Sequence, residues 1–233
     1  MKILAVDTAT ESCGVALTEG EQLIGEITNR RKQTHSRHVL GMIDALLRMC
    51  GMGAGDVDAY AVSAGPGSFT GLRIGISTVK GMVLASGKDM VGVSVPDVLA
   101  AQVFPGACPV CVLPVCVLTD ARKGEVYTAR YRYESGMLKK IGGEQVLAPE
   151  EALSGIAGDC LFVGRGAELY RSRIEEKLGK HARFAPPECN IIRASVLARL
   201  AWQRLRKGER DNAAAFGPRY IRKSDAELGF GKK

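Results

Sequence analysis

VDTATESCGVAL, residues 6–17, contains the end of one predicted strand, a polar turn and the next strand. An apolar strand, Lys2 to Val6, leads into a turn dense in Asp, Thr and Ser, and Cys13 to Leu17 returns as a second strand. A third strand, Gln22 to Thr28, follows the Glu19-Gly20 turn. The three strands are therefore predicted to form an antiparallel meander, which differs from a simple βαβ opening.

The next two helical patterns carry apolar residues over more of their surface than one neighbour would cover. Over Ser36 to Cys50 these residues span an arc of about 180°, whereas a helix packed on one core typically needs somewhat over 100°. The second helix, about Leu72 to Gly87, has an inner stripe of Leu72, Ile76, Val79 and Val83 and an opposite stripe of Ile74, Gly81 and Ala85. We therefore expect each helix to pack on a sheet with one side and to face a partner protein with the other. Core positions are predicted at Val39, Ile43, Leu46, Val79 and Val83, and outer positions at Leu40, Leu47, Ile74 and Ala85.

Further strands and helices follow in a mixed order. Strands are predicted at Ala59 to Ala64, Met90 to Val95, Val110 to Leu118, Glu125 to Tyr133 and Cys160 to Val163, and helices at Asp97 to Val103, Pro149 to Ala157, Ala167 to Leu178 and Arg193 to Lys207. The order βββαβα, followed by more strands and helices, predicts an α/β protein with two halves and mixed sheets. The best boundary is Phe104-Pro105-Gly106, which divides the chain into 1–104 and 105–233.

The composition of the 233 residues is typical of a globular protein, with 46% hydrophobic and 24% charged residues. It excludes a disordered tail. The longest apolar run, Pro109 to Leu118, has about half of the roughly 20 residues that a bilayer demands, and the apolar start of the chain is too short for a signal peptide. We therefore expect no membrane contact and a cytoplasmic location. Seven scattered cysteines, an odd number, favour reduced thiols over a disulfide framework.

Charge is distributed unevenly along the chain. Residues 1–159 carry 15 basic and 17 acidic side chains, whereas residues 160–233 carry 17 basic and 8 acidic ones. A basic C-terminal third suits contact with RNA, an anionic surface or an acidic partner, and it equally suits arginines that solvate helix faces. Charge alone does not choose between these interpretations.

Two segments have the composition of phosphate-binding loops. The turn after Val6 offers Asp7, hydroxyls and backbone N–H groups, and Asp7 could also hold a metal or orient a water. The segment GPGSFTGLR, residues 65–73, combines three glycines with a helix start that Ser68 or Thr70 would cap, but it lacks the Lys-Ser or Lys-Thr of a Walker A loop. The competing interpretation of both segments is structural: a hairpin that satisfies its own backbone, and a tight turn before a capped helix.

Three further groups favour structural roles. Cys108 and Cys111 form a C-x-x-C pair, but it leads into an apolar strand and no second pair completes a zinc site. His35 and His38 lack a third metal ligand nearby. The acidic and basic residues of DARKGEVY, residues 120–127, are best explained as charges paired locally around a hairpin turn.

Several of these segments together resemble the bacterial TsaB family, formerly called YeaZ. They are VDTATESCGVAL, HSRHVLGMIDALL (35–47), VSAGPGSFTGLRIGISTVKGMVLA (62–85), DARKGEVY and, near the end, PRYIRKSDAE (218–227). The resemblance implies an actin-like ATPase fold of the sugar kinase/Hsp70 type, in two α/β halves of which the second is reduced.

The resemblance also implies a function. TsaB proteins act with the TsaD subunit and the ATPase TsaE, which together transfer a threonylcarbamoyl group to the adenosine 3′ of the anticodon in tRNA. Catalysis is attributed to TsaD, which holds a metal and nucleotide. This chain is then expected to be a non-catalytic subunit that docks on TsaD, otherwise forms a homodimer, and reaches tRNA through the complex.

Roles carried over by position fall on the features described above. The docking surface would use Leu40, Ile43 and Leu47 of the first helix and Arg73, Ile74, Ser77 and Lys80 of the second. A residual phosphate loop would comprise Asp7, Thr8 and Thr10. No catalytic residue, metal ligand or cofactor is expected, because no adenosine loop is recognisable after Cys108.

A second class of function stays open as an alternative. It is a stand-alone enzyme, either a kinase-like phosphotransferase that uses Asp7 and Thr10, or a peptidase. A kinase would need a second phosphate loop and an adenosine loop, and a peptidase would need a nucleophile with a base or a metal site. Neither set is recognisable in the sequence, which favours the subunit.

Overall fold

The computed structural model describes residues 1–30, 35–103, 113–134 and 137–222. In chain order its strands and longer helices are β1 (Lys2–Asp7), β2 (Cys13–Glu19), β3 (Gln22–Asn29), α1 (Val39–Met49), β4 (Ala59–Gly65), α2 (Phe69–Ser86), β5 (Asp89–Ser94), α3 (Val95–Gln102), β6 (Val115–Arg122), β7 (Glu125–Glu134), β8 (Met137–Leu147), α4 (Pro149–Ala152), β9 (Cys160–Val163), α5 (Arg165–Leu169), α6 (Arg171–Leu178), β10 (Ala182–Phe184) and α7 (Ala194–Arg206). No helix within the described ranges is long and apolar enough to cross a membrane.

These elements form two compact units. Unit 1 comprises Met1–Val98 and Ile192–Arg219, and unit 2 comprises Leu99–Ile191 with the described residues from Tyr220 on. The division differs from the predicted one at residue 104, and Phe104 to Gly106 lie outside the described residues. The chain returns to unit 1 because one stripe of α7 is apolar and packs on that unit's sheet. The buried members of the stripe are Ala194, Leu197, Ala198, Ala201 and Leu205.

The sheet of unit 1 has the order β3-β2-β1-β4-β5. β1, β2 and β3 form the predicted antiparallel meander, and β4 and β5 run parallel to β1. β1 and β4 are almost completely buried and nearly continuous in apolar residues, as expected for central strands that helices cover on both faces.

Helices α1 and α7 cover opposite faces of this sheet. Gly25 of β3 lies under α1, where an added Cβ would come 2.9 Å from the Leu46 side chain, and Gly25 pairs with Leu17 of β2. Gly14 of β2 lies instead under Ala194 of α7. Because residues three apart in a strand point to opposite faces, α1 and α7 are on opposite sides. α2 packs on β1, β4 and β5.

The sheet of unit 2 repeats the topology of the first, in the order β8-β7-β6-β9-β10. β6, β7 and β8 are antiparallel neighbours, and β9 and β10 run parallel to β6. The core between this sheet and its helices includes Leu118, Val126, Phe162 and Ile174, all of which are buried. The predicted pair of α/β halves with mixed sheets is thus confirmed.

Several elements differ from the prediction. β8 was not predicted because it is an exposed edge strand whose lysines and Gly142-Gly143 bulge interrupt the apolar alternation. β10 has three residues, too few for a pattern. The predicted helix from Ala167 to Leu178 is broken at Tyr170 into α5 and α6, and the predicted helix after Pro149 ends at Ala152.

Candidate functional site

The glycine-rich segment before and within α2 packs directly on the turn between β1 and β2. Ser68 is the N-cap of α2 and accepts a hydrogen bond from the Gly71 N–H at 3.2 Å, which confirms Ser68 rather than Thr70 as the capping residue. A Cβ at Gly67 would overlap the Ala9 carbonyl oxygen, and a Cβ at Gly71 would overlap that of Thr8. The glycines are therefore needed for close approach of helix and turn.

Hydrogen bonds join the same two segments. The Thr8 hydroxyl donates to the Gly71 carbonyl oxygen at 2.7 Å, and the Ser68 N–H donates to the Ala9 carbonyl oxygen at 2.8 Å. Farther along the turn, the Thr10 hydroxyl lies 3.0 Å from the Ser12 hydroxyl. A phosphate in this turn would have to separate the turn from α2, so the residues present do not fit a nucleotide phosphate as they stand.

Asp7, the acid of the predicted residual phosphate loop, is fully buried. Its Oδ1 accepts hydrogen bonds from the Ser63 hydroxyl at 2.6 Å and from the Ala9 N–H at 3.2 Å. Its Oδ2 is buried and has no hydrogen-bond partner within the part of the chain that the structure describes. Burial raises the pKa of Asp7 to about 6, and the two hydrogen bonds offset that rise only in part.

The structure gives these residues no metal-binding geometry. Among the described residues, no three His, Cys, Asp or Glu side chains lie close enough to share a metal ion. His35 Nε2 instead donates to the Thr10 carbonyl oxygen at 2.8 Å and so ties the start of the α1 region to the turn. Asp7 and Thr8 are both buried, and Thr10 is half-buried.

The two helices predicted to face a partner are only partly exposed. In α1, Leu40 is 61% exposed, but Ile43 and Leu47 are 4% and 6% exposed. Ile43 and Leu47 therefore belong to the core of unit 1, which corrects their assignment to a docking surface. Leu47 is buried because it lies beside Ile43 on the sheet-facing side of the helix, where the arc argument extended the outer face too far.

α2 has a continuous outer face, defined by Arg73, Ile74, Ser77, Gly81, Leu84 and Ala85. Arg73, Ser77, Gly81 and Ala85 are exposed and Ile74 is half-buried. Leu72, Ile76 and Val79 are buried as predicted, but Val83, also predicted as a core position, is only half-buried. Leu84 is 89% exposed, the highest exposure of any large apolar side chain described. Leu84 was not among the predicted docking residues, although its spacing of seven residues from Ser77 places it on the same side of the helix.

Lys80, which the resemblance places on the docking surface, also forms contacts within unit 1. Its Nζ donates to the carbonyl oxygens of Ala214 and Phe216, at 3.2 and 3.0 Å. The segment 211–219 runs along the β5 edge of the sheet, where the Phe216 ring lies against Gly92 and the Arg219 N–H donates to the Ala64 carbonyl oxygen at 2.7 Å. Lys80 thus binds this C-terminal segment.

The basic C-terminal third is partly neutralised within each unit. In unit 1, Arg193 pairs with Glu26 at 2.6 Å and Arg210 pairs with Asp89 at the same distance. In unit 2, Arg222 pairs with Glu125 at 2.9 Å, beside the turn whose Asp120 Oδ1 accepts the Arg122 N–H at 2.7 Å. DARKGEVY forms the predicted hairpin turn, but the ion pair of Glu125 is with the distant Arg222 and is not local to the turn.

The three buried cysteines of the described ranges, Cys13, Cys116 and Cys160, have thiols that stay protonated at pH 7. Burial raises the pKa of Cys13 and Cys116 to about 11 and that of Cys160 to about 12. None of the described cysteines forms a disulfide. Cys108 and Cys111 lie outside the described residues, so the C-x-x-C prediction stays untested.

Comparison with known proteins places the chain among named relatives. Residues 22–230 match the family model described as TsaD, tRNA N6-adenosine threonylcarbamoyltransferase. The Bacillus subtilis tRNA threonylcarbamoyladenosine biosynthesis protein TsaB is 31% identical over 232 residues, which cover 97% of this chain and 96% of that protein. The structure of YeaZ from Pseudomonas aeruginosa is 31% identical and superimposes with a TM-score of 0.80, covering 94% of this chain and 99% of that one.

A more distant structure bears on the fold alone. Component A of (R)-2-hydroxyglutaryl-CoA dehydratase from Acidaminococcus fermentans superimposes with a TM-score of 0.51 at 12% identity, over 88% of this chain and 98% of that one. Together with the two five-stranded mixed sheets of identical topology, this match confirms the actin-like ATPase fold. At 31% identity over nearly the whole length of both proteins, the chain belongs to the TsaB/YeaZ family.

Proposed function

We propose that this chain is a non-catalytic subunit of the machinery that forms threonylcarbamoyladenosine in tRNA, and that it docks on TsaD through the outer face of α2. The observation that carries the proposal is the exposure of Leu84, at 89%, within that face. In this proposal the chain contacts TsaE and tRNA only within the assembled complex. Membership of the TsaB/YeaZ family supports a part in forming threonylcarbamoyladenosine. The exposed surface of α2 supports docking on a partner protein.

The outer face of α2 has the composition of a protein-binding surface. Four of its six side-chain positions, Ile74, Gly81, Leu84 and Ala85, carry no polar group. Small residues at 81 and 85 let a partner backbone approach closely, while Leu84 offers a side chain that a pocket can enclose. α2 contains Arg73 and Lys80 but no acidic residue, so a partner surface that is apolar with an acidic rim fits it best.

The same face accounts for self-association. An exposed apolar strip on a helix is costly in water, and two copies of one strip can cover each other around a two-fold axis. TsaD and a second copy of this chain would then compete for α2. We expect the homodimer to dissociate as TsaD is added.

The state of the β1–β2 turn supports the absence of catalysis by this chain. A phosphotransferase that used Asp7 and Thr10 would need these groups to reach a bound nucleotide. Asp7 is fully buried, and α2 lies against the turn that a phosphate would occupy. The isolated chain should therefore hydrolyse no ATP above background. Turnover by the isolated chain that Asp7→Ala abolishes would favour the enzyme alternative.

A pair of matched variants tests the docking face. Leu84→Glu places a charge on the outer face of α2, and Leu169→Glu places the same charge on α5 of unit 2, where Leu169 is 53% exposed. Both residues are exposed in the monomer, so both variants should fold with unchanged circular dichroism. Size-exclusion chromatography with light scattering measures self-association, and calorimetry measures binding to purified TsaD.

We expect Leu84→Glu to lose both the homodimer and TsaD binding, because the charge would be buried without a partner at either interface. It should also lose threonylcarbamoyladenosine formation in a mixture with TsaD, TsaE and tRNA. Leu169→Glu should behave as the unmodified protein in all three measurements. Wild-type TsaD affinity in a folded Leu84→Glu protein would place the docking surface elsewhere, and the basic C-terminal third would be tested next.

A further inference from the structure

Unit 2 contains a cavity of about 370 Å³ between α4 and the β7–β8 edge of its sheet. It exists because β8 bulges. Thr128 pairs with Gln145 and Arg130 pairs with Ile141, so three residues of β8 stand opposite Ala129 alone. Apart from the glycine itself and its two chain neighbours, no described residue comes within 4 Å of the position where a Cβ of Gly142 or Gly143 would be, so the bulge leaves open space over the strand.

A half-buried guanidinium, that of Arg130, lines this cavity. Its Nη2 donates to the carbonyl oxygens of Ala152 and Ser154, at 2.8 and 2.5 Å, at the end of α4. These bonds fix the plane of the group and use two of its five N–H donors. Among the described residues, no acidic side chain forms an ion pair with Arg130.

The thiols next to Arg130 do not supply the missing negative charge. Burial raises the pKa of Cys116 to about 11, although Arg130 itself lowers it in part, and burial raises the pKa of Cys160 to about 12. Both thiols are therefore neutral at pH 7. A cation that is half-buried without a counter-charge attracts an anion from solution.

The remaining lining defines which anion fits. The buried Thr128 hydroxyl and the Gln145 amide supply further polar groups, and Glu151 brings one carboxylate to the rim. That negative charge opposes a doubly charged phosphate more strongly than a singly charged carboxylate. Both Nη2 hydrogens of Arg130 are used by carbonyl oxygens, so a carboxylate would bind through the remaining N–H groups, on Nε and Nη1.

We propose that this cavity of unit 2 binds a small carboxylate-bearing molecule, with Arg130 holding the carboxylate group. The volume lies near the lower end of the roughly 300–1,000 Å³ typical of small-molecule sites, so the molecule is a compact one. The site is formed by residues of unit 2 alone, so the proposal does not rest on docking through α2 of unit 1.

A glycine pair gives a matched test of the cavity. Gly143 and Gly158 are both exposed, both have open space at the Cβ position, and neither has a positive φ. Gly143→Phe fills the cavity from the bulge, whereas Gly158→Phe adds the same ring to unit 2 outside the cavity. Arg130→Lys keeps a cation that can still bind carbonyl oxygens but loses the planar fork, and equal melting temperatures check the fold of each variant.

The readout is the ¹H–¹⁵N correlation spectrum of the full chain titrated with sodium benzoate, sodium acetate or inorganic phosphate. We expect saturable shifts around residues 128–154 with benzoate and acetate, and binding of phosphate that is roughly tenfold weaker or more. Gly143→Phe and Arg130→Lys should each weaken benzoate binding by roughly tenfold or more, and Gly158→Phe should leave it unchanged. No saturable shift below about 50 mM, equal binding by Gly143→Phe and Gly158→Phe, or phosphate binding as tight as benzoate would each overturn the proposal.

Discussion

α2 of unit 1 and the pair α5–α6 of unit 2 occupy the same place in two sheets of identical topology. Each connects the two parallel strands that follow the meander, β4 to β5 in one unit and β9 to β10 in the other. α2 is one helix of 18 residues without an acidic side chain. Its counterpart is broken at Tyr170 into helices of 5 and 8 residues.

The outward sides of these helices differ in chemistry. On α6, Arg171 pairs with Glu175 at 2.9 Å and lies over the Phe184 ring, and Arg173 pairs with Glu150 at 3.0 Å. The charged side chains of α6 thus find neighbours within unit 2, whereas Leu84 of α2 has most of its surface in solvent. The helices at this place in the two units therefore differ in continuity and in the chemistry of their outer residues.

The same comparison separates packing from ligand binding in the glycine-rich turns. In unit 1, Gly67 and Gly71 lie against the backbone of Thr8 and Ala9. In unit 2, Gly164 and Gly166 lie against the carbonyl group of Leu118, within β6. In both units, glycines let a helix start pack closely on the backbone of the meander. Close packing therefore explains both glycine-rich motifs, and no phosphate-binding role is needed to explain them.

The largest effect is expected from an alanine in the helix–turn contact of unit 1. Gly71→Ala would place a methyl group on the Thr8 carbonyl oxygen, so the backbone must shift, and the free energy of unfolding should fall by roughly 4 kcal/mol. Gly81→Ala on the same helix has open space and should leave stability unchanged or raise it by up to about 1 kcal/mol. Urea unfolding of both variants measures the difference. Equal stability of the two would show that the glycine at 71 is not needed for packing.

A smaller, pH-dependent effect is expected at Asp7. Its pKa is about 6 in the folded protein against about 3.9 in an unfolded chain, so ionisation above pH 6 costs about 3 kcal/mol of stability. Because the folded pKa is the higher one, this stability returns as the pH falls from about 6 to about 4. Asp7→Asn removes the titration, so the difference in unfolding free energy between the two proteins should change over that range. A difference that is constant from pH 4 to 8 would contradict the burial of this carboxyl group.

A further comparison sets a partly buried carboxylate of unit 1 against an exposed one of unit 2. Glu26 of β3 accepts hydrogen bonds from the Ser195 N–H at 3.1 Å and from the Ser195 hydroxyl and Arg193, so it caps α7 from another element. Glu26→Gln should lower the free energy of unfolding by about 2 kcal/mol. Glu175→Gln breaks an exposed pair on α6 and should have no measurable effect. Similar losses in both variants would show that the capping contact adds nothing beyond a surface ion pair.

The sequence predicted those parts of the fold that rest on apolar periodicity. The meander, β4, β5 and the core stripe Leu72-Ile76-Val79 follow the pattern closely, since central strands and core faces are selected for burial. β8 was not predicted because an edge strand needs no apolar alternation. Its lysines instead discourage the exposed edge from pairing with another chain. The packing of α7 on unit 1 was not predicted, because a helical pattern shows the apolar stripe but does not show which sheet the stripe covers.

The candidate site was predictable in the same uneven way. Family resemblance and periodicity selected α2, but they could not tell that Leu47 is buried or that Lys80 binds the segment 211–219. Both depend on contacts between residues far apart in the chain. The sequence likewise showed no sign that Arg130 lines a cavity, because the cavity depends on the register of β7 and β8.

Hydrogen–deuterium exchange of the intact chain, with and without TsaD, tests the docking claim most directly. We predict slower exchange of the amides of residues 73–86 when TsaD is bound, and unchanged exchange of residues 165–178 in the topologically equivalent helices of unit 2. The homodimer should protect the same part of α2 at high protein concentration and lose that protection on dilution. Protection by TsaD that is confined to residues 165–178, or absent from residues 73–86 in a mixture shown to contain the complex, would contradict the account.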